Sequence, residues 1–358
     1  MIHQYLSSKP YSMKTDEKRK IMLENLNQLT QHHYSNCSRY KQVIDGLWNS
    51  KILANKIEDV PFIPVSLFKS HELSSVNKED IRSTMTSSGT TGQTVSKIYI
   101  DTQTSQDQQK GLANSLQHIL GRKRLPMLIL DTDASFKNPE YMNARGAGVL
   151  GMMRYGRSHC FALNKDLEPD LEAIKDFLKI NGSAPFFIFG FTFLVWTKFH
   201  EILKNNNLDL SNGILIHSGG WKKMIENAVD NDVFRNSFKK YFGLNEIYNF
   251  YGMVEQLGSI ILEGPDGLLY PPNFGDVIIR DPMTFEVVPV GETGIIQVLS
   301  IIPHSYPGHS ILTEDIGVIE KTHSSFEDWN GSGLRIIGRV PKTDLRGCSD
   351  IISQKMSS

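Results

Sequence analysis

The chain has 358 residues, enough to bury a substantial core and to hold more than one sub-domain. Hydrophobic residues make up 40% and charged residues 22%, an ordinary composition for a soluble globular protein. A formal net charge of -1 gives no electrostatic case for nucleic acid, whose partners cluster Lys and Arg on one face.

The first residues, MIHQYLSSKPYSMKTDEKRK, show no apolar stretch behind a basic end, so no secretory signal is expected. Residues 16–45 place apolar side chains at helical spacing and predict one or two amphipathic helices. In DVPFIPVSLFKS two prolines argue for an extended connector. MTSSGTTGQTVSK (85–97) follows, and VSKIYID then alternates like a strand, which puts the glycine-rich loop just before or between strands.

The middle of the chain alternates strand-like and helix-like segments. LPMLILDT (125–132) reads as a buried strand and DLEAIKDFLKING (170–182) as a helix stopped by Gly182. PFFIFGF is a strand, FLVWTKFHEILKNNN a helix, and GILIHSGG a strand ending in glycines. The longest apolar run, FFIFGFTFLVW (186–196), is much shorter than the ~20 residues of a spanning helix, so no membrane span is expected. This alternation predicts an α/β domain. After Gly264, short strands broken by Asp-Pro and Gly-Glu-Thr-Gly turns predict a β-rich sub-domain over 260–335. Three cysteines, Cys37, Cys160 and Cys348, show no paired spacing and fit a reducing, cytoplasmic compartment. No CxxC, HExxH or EF-hand spacing announces a structural metal site. His159 and Cys160 read as structural.

The loop at 85–97 lacks the GKS or GKT of a Walker sequence. It still has what a phosphate cradle needs. Gly89 and Gly92 allow close backbone approach, Ser87, Ser88, Thr90 and Thr91 add hydroxyl donors, and Lys97 adds a point charge. By composition alone, a flexible polar linker is the better reading by a narrow margin.

The order [ST]-[ST]-G-T-T-G-x-x-x-x-K resembles the phosphate loop of the adenylate-forming superfamily, which includes acyl-CoA synthetases, peptide-synthetase adenylation domains and firefly luciferase. HSGGWKK (217–223), NFYGMVEQLG (249–258), GETGIIQV (291–298), LTEDIGVI (312–319) and IIGRV (336–340) resemble further motifs of that superfamily, in its order. Within it, IPVSLFKSHEL, TSSGTTG, GGWK and a tail with Gly-Cys resemble the acyl-protein synthetase branch of the bacterial luminescence fatty-acid reductase system.

The resemblance implies an α/β fold: a large adenylate-forming domain over 1–337, built of layered sheets, flanking helices and the β-rich sub-domain. A hinge remnant and cysteine-bearing tail (338–358) would stand where relatives carry a C-terminal domain of about a hundred residues with an assisting lysine. Lys97, Lys342 or a partner would then substitute for that lysine, or adenylation would be slow. The implied chemistry is ATP- and Mg²⁺-dependent formation of an acyl-adenylate from a carboxylic acid, by expectation a fatty one. Ser87, Ser88, Gly89, Thr90, Thr91, Gly92 and Lys97 would grip the β- and γ-phosphates. Glu255 would bind Mg²⁺, Tyr251 and Gly252 would meet the adenine with backbone groups of Gly219 and Gly220, and Asp315 would hold the ribose hydroxyls. Arg339 would be the hinge arginine, and Cys348 the thiol that receives the acyl group. Lys342 and Arg346 near Cys348 favour its thiolate, while Asp344 and Asp350 oppose it. Val254 departs from the superfamily, most of which has a hydroxyl residue there. His217 and the segment 186–196 are candidates to line an acyl pocket, but core packing is the favoured reading for most of those side chains. An acyl-accepting reductase, acyltransferase or carrier protein is the expected partner. Two alternatives are a ligase that loads coenzyme A or a carrier protein directly, and a non-catalytic nucleotide- or acyl-binding subunit.

Overall fold

The computed structural model of the chain describes residues 2–87, 95–134, 144–220, 228–324 and 326–340. The periodic N-terminal segment folds as two helices, α1 (Thr15–Asn36) and α2 (Ser38–Trp48), with Met22, Leu26 and Leu29 on the buried stripe of α1. The proline-bearing connector is extended through β1 (Ile63–Pro64) and then makes a single turn, α3 (Leu67–Ser70). β2 (Ile81–Thr86) and β3 (Lys97–Asp101) form an antiparallel pair, so the glycine-rich loop joins two strands. α4 (Thr102–Leu120) has no counterpart in the sequence reading, because TQTSQDQQKGLANSLQHIL is mostly polar and carries Gly111 in its interior. Asp101 starts it by accepting a hydrogen bond from the Thr104 N–H at 2.7 Å. Gly111 is a packing requirement, since a Cβ there would lie 2.9 Å from the Gly258 carbonyl oxygen.

The alternating middle of the chain gives β4 (Leu125–Ile129), α5 (Ala144–Met153), β5 (Gly156–Phe161), α6 (Leu171–Asn181) and β6 (Phe186–Phe191). Next come α7, a continuous helix of Thr192–Leu194, a π-wound Val195–His200 and Glu201–Leu203, then β7 (Gly213–Ser218), α8 (Asn231–Phe242) and β8 (Glu246–Tyr251). Asp170 and Asp230 cap α6 and α8, accepting from the Ala173 and Val233 N–H groups at 3.0 and 2.7 Å. The remaining strands are β9 (Ile261–Glu263), β10 (Leu269–Tyr270), β11 (Gly275–Arg280), β12 (Thr293–Ser300), β13 (Ser310–Lys321) and β14 (Gly333–Arg339).

The chain divides into two compact units. One comprises Leu116–Tyr251 and Leu262–Gly267 and holds a parallel sheet in the order β8-β7-β6-β4-β5. Leu128, Ile188, Leu215 and Ile247 on one face of that sheet share a core with Phe199 of α7 and Phe234, Phe238 and Phe242 of α8. The other unit takes the chain up to Ser115, Gly252–Ile261 and the chain from Leu268 on. Its strands run β11-β12-β13-β14-β10 with antiparallel neighbours, and α1 packs Met22, Leu26 and Leu29 against Phe274, Ile278, Leu299 and Ile301. β13 changes partner along its length. Ile311 and Leu312 pair in parallel with β1, and Asp315–Lys321 pair with β14.

This second unit buries imidazoles. His33 is bonded to Ser75 Oγ (2.7 Å) and to the Pro303 carbonyl (3.1 Å), and its ring stacks on His309 at 4.9 Å. Burial, reinforced by the neighbouring histidines, holds His33 well below the ordinary histidine value and His309 down to about 3. The folded state keeps both neutral, whereas the unfolded chain takes up protons near pH ~6.5. Their contribution is therefore complete above that pH and is lost as the pH falls below it. Each such histidine is expected to cost about 1.4 kcal/mol of stability between about pH 7.5 and pH 5.5. Denaturant titrations at the two pH values check this, and His309→Gln, which cannot titrate, should lose that much less.

Candidate active site

In the parallel unit the predicted nucleotide-side residues stand at the carboxyl ends of adjacent strands, where open α/β sheets bind ligands. Ser218 is the register partner of Phe250, so Gly219 and Tyr251 follow side by side from β7 and β8. Ser218 Oγ donates to the Phe250 carbonyl at 3.0 Å and ties the two strand ends together. Gly219 has φ +83°, a conformation that favours glycine, and the next residue, Gly220, opens onto space. A Cβ on Gly219 would lie 3.3 Å from the Phe191 ring, and one on Gly148 of α5 would lie 2.9 Å from it. The sequence reading of HSGGWKK extends past this point into residues 221–223, outside the described residues.

The apolar run 186–196 is core over most of its length, with Phe186, Phe187, Ile188 and Phe189 buried. His217 is core as well. Its Nδ1 is hydrogen-bonded to Thr192 Oγ1 at 2.9 Å and its ring stacks on Phe234 at 4.6 Å. Burial and the Arg235 charge push its pKa down to about 3, so it is neutral at working pH. His159 is bonded to the Met153 carbonyl, and burial raises the Cys160 thiol above its usual range, in keeping with structural roles for both.

In the other unit Glu255 sits in the single 3₁₀ turn Val254–Gln256 with 4% of its surface exposed. Burial pushes its carboxyl up from the ordinary glutamate value, while the Ser96 side chain beside it and the Lys69 charge pull the other way. The turn is braced from behind. Gln256 Nε2 donates to the carbonyls of Val298 (3.1 Å) and Gly308 (2.9 Å). Gly308 packs so closely that a Cβ would lie 2.3 Å from the Tyr306 ring and 2.6 Å from the Glu255 carbonyl oxygen. Tyr306, fully buried, accepts a hydrogen bond from Gln108 Nε2 at 3.3 Å. Ser96, Gln256, Tyr306 and Gly308 escaped the sequence reading, because their part comes from contacts between segments far apart in the chain.

Asp315 and Arg339 are register partners across β13 and β14, and Arg339 Nε donates to Asp315 Oδ1 at 3.1 Å. Two residues singled out from separate motifs thus meet. Ser87 and Lys97 end the β2–β3 pair, with the Ser96 N–H donating to Ser87 Oγ at 2.9 Å and Lys97 exposed. The loop between them (Ser88, Gly89, Thr90, Thr91, Gly92) lies outside the described residues, as do Lys342, Arg346 and Cys348. Lys69 is a basic residue that the sequence reading quoted only within IPVSLFKS. Its Nζ lies 3.7 Å from Glu314 Oε1, next to Asp315.

Among the described residues no three His, Cys, Asp or Glu side chains converge as a protein metal cage. The donor chemistry at Glu255 suits Mg²⁺, which takes one or two carboxylates and fills its remaining positions with phosphate oxygens and water. Among the described residues no helix is long and apolar enough to cross a membrane.

The fold is that of adenylate-forming enzymes. A structure of 2-hydroxyisobutyryl-CoA ligase in the postadenylation state with 2-HIB-AMP superposes with a TM-score of 0.65 at 16% identity, covering 92% of this chain and 69% of that one. The same ligase with 2-HIB-AMP and CoA in the thioesterification state gives 0.64 at 17% identity, covering 93% and 70%. A family model described as "Acyl-protein synthetase, LuxE" matches residues 2–357, and the chain belongs to that family. It is an acyl ligase by membership. Two curated relatives are called long-chain-fatty-acid–luciferin-component ligase. That of Vibrio harveyi is 24% identical over 343 residues (92% of this chain, 86% of the relative), and that of Aliivibrio fischeri is 23% identical over 352 residues (96% and 90%).

The packing around Gly308 gives a direct test of how the Glu255 turn is held. Gly308→Ala is expected to lower stability by about 1–3 kcal/mol, measured as the denaturation midpoint at unchanged slope.

Proposed function

We propose that the protein uses ATP to activate a long-chain fatty acid as an acyl-adenylate and then passes the acyl group to its own Cys348 as a thioester. Family membership across residues 2–357 carries this reading, and the names of the Vibrio and Aliivibrio relatives support the fatty acid as substrate. In the first step a carboxylate oxygen attacks the α-phosphorus of ATP and pyrophosphate leaves. In the second, the thiolate attacks the acyl carbonyl, the mixed-anhydride bond breaks and AMP leaves.

The residues divide the work by chemistry. Asp315 suits the ribose, since a carboxylate accepts from both hydroxyls, and Arg339 holds it in place. Tyr251, with Gly252, Gly219 and Gly220, would flank the adenine, and Ser87, Lys97 and the intervening loop would take the phosphates. Glu255 would hold Mg²⁺, which supplies charge neutralisation at the phosphates. Residues 338–358 would act as the acyl-carrying tail, which hands the group to a reductase, an acyltransferase or a carrier protein.

The test uses the whole chain with ATP, Mg²⁺ and a panel of fatty acids. Acid-dependent ATP–pyrophosphate exchange and an acyl adduct seen by intact mass are expected. Cys348→Ser should keep exchange and lose the adduct. Equal labelling of Cys348→Ser would overturn self-acylation, and pyrophosphate release that needs added coenzyme A, with no adduct, would assign a coenzyme A ligase instead. Lys97→Ala should reduce exchange by at least about a hundredfold. Near-normal exchange in that variant would remove the loop from the site.

A further inference from the structure

One edge of β13 pairs with β12, the other is divided between β1 and β14, and the change-over falls at Thr313–Glu314. On one side the Val65 N–H, just after β1, donates to the Leu312 carbonyl at 2.9 Å; on the other the Val340 N–H, just after β14, donates to the Glu314 carbonyl at 2.9 Å. Two segments far apart in sequence therefore arrive at one point of the strand, and each delivers a cation. β14 brings Arg339 to Asp315, and α3 brings Lys69 to Glu314. The position of α3 is fixed. Leu67 and Phe68 are buried, and Phe68 meets Tyr306 edge-on at 6.3 Å. Tyr306 in turn packs on Gly308, which abuts the Glu255 turn. The Lys69 side chain is 40% exposed, its pairing with Glu314 is longer than a hydrogen bond, and its charge also reaches Glu255.

We propose that Lys69 is a triphosphate-binding residue of this site: when nucleotide enters, its ammonium leaves Glu314 and pairs with phosphate oxygens gathered at Glu255. This rests on the adenylation reading given above. The physical case is charge. Glu255, Glu314 and Asp315 are three carboxylates beside the place where that reading puts a polyanion, and the repulsion has to be offset by cations that can reach it. A lysine on a flexible four-carbon stem, anchored at its backbone and only loosely held at its tip, suits that exchange. An exposed pair of this length is weak, so releasing Glu314 opposes binding little. Sequence inspection passes over Lys69 because strand pairing across some 250 residues, and no local motif, brings it to Glu314 (Ile63 pairs with Ile311).

Exchange kinetics of Lys69→Met, Lys69→Arg and Glu314→Gln test this at saturating acid and varied ATP, with thermal melts to confirm folding. Lys69→Met should raise KM for ATP by about tenfold or more, and Lys69→Arg should restore most of the loss. Glu314→Gln, which frees the ammonium and removes one of the repelling carboxylates, should leave KM for ATP unraised. Lys69→Met with KM and kcat within about twofold of wild type overturns the assignment. So does Glu314→Gln matching the Lys69→Met defect, because the ion pair would then be structural. If wild type exchanges with none of the acids, the adenylation reading falls separately. Calorimetric titration of Mg·ATP into wild type and Lys69→Met then decides the lysine, and equal affinities overturn it.

Discussion

A carboxylate with 4% of its surface exposed is expensive to keep, and the candidate site is organised around that expense at Glu255. An ionised group out of water must be compensated, and the nearby Lys69 charge works in that direction while burial raises the carboxyl's pKa. That compensation works only if the turn carrying Glu255 is held still. That holding falls to Gln256, whose amide spans the Val298 and Gly308 carbonyls, and to Gly308, whose lack of a side chain lets it approach the Glu255 carbonyl and the Tyr306 ring. The glycine is thus a requirement set by a neighbour's position and not by a turn of its own. The same segment, residues 303–309, supplies the Pro303 carbonyl and His309 to the buried imidazole stack, so the ground behind Glu255 is packed against neutral histidines. A neutral imidazole can fill such a place because it satisfies hydrogen bonds without bringing a second buried charge.

The two units solve the placement of site residues in different ways. In the parallel unit, register does it: equal strand offsets bring Gly219 and Tyr251 out together at the end where ligands bind in such sheets. In the antiparallel unit, cross-strand opposition does it: Asp315 faces Arg339 because β13 and β14 pair there. The first arrangement leaves Gly219 and Gly220 exposed beside a half-buried Tyr251, where the reading proposed above puts the adenine. The second exposes a carboxylate held by a guanidinium, which suits a pair of hydroxyls.

Legibility in the sequence tracks how local the cause is. β4, β6 and β7 are readable because strands buried on both faces write continuous apolar runs, and α6 because its apolar period ends at Gly182. α4 is not, since its polar composition hides a helix whose one odd residue, Gly111, is demanded by the Gly258 carbonyl. Motif order located Glu255, Asp315 and Arg339 as separate residues. It carried no sign that the last two bond to each other, that Gln256 and Gly308 brace the first, or that a lysine from the connector stands near Glu255. Those facts are products of pairing between distant segments, and a one-dimensional pattern does not encode them. The apolar run at 186–196 is legible for the same local reason: core packing is the favoured reading for most of its side chains, and most are core, since inward-facing strand residues must first close the interior.

Charge is balanced at this end of β13 without any ligand. Lys69 answers Glu314, and Arg339, 74% exposed, answers Asp315. Both pairs reach water, so each contributes about 0–1 kcal/mol and neither locks its cation. Glu255 differs in kind, because burial raises its pKa and neither nearby group fully offsets that. The unit thus carries two weakly held surface pairs and one costly buried carboxylate. On the adenylation reading proposed above, a polyanion would exchange these carboxylate partners for its own phosphates at little loss, and a cation accompanying it would meet Glu255. That reading therefore expects an anion and its counter-cation to bind together better than either alone.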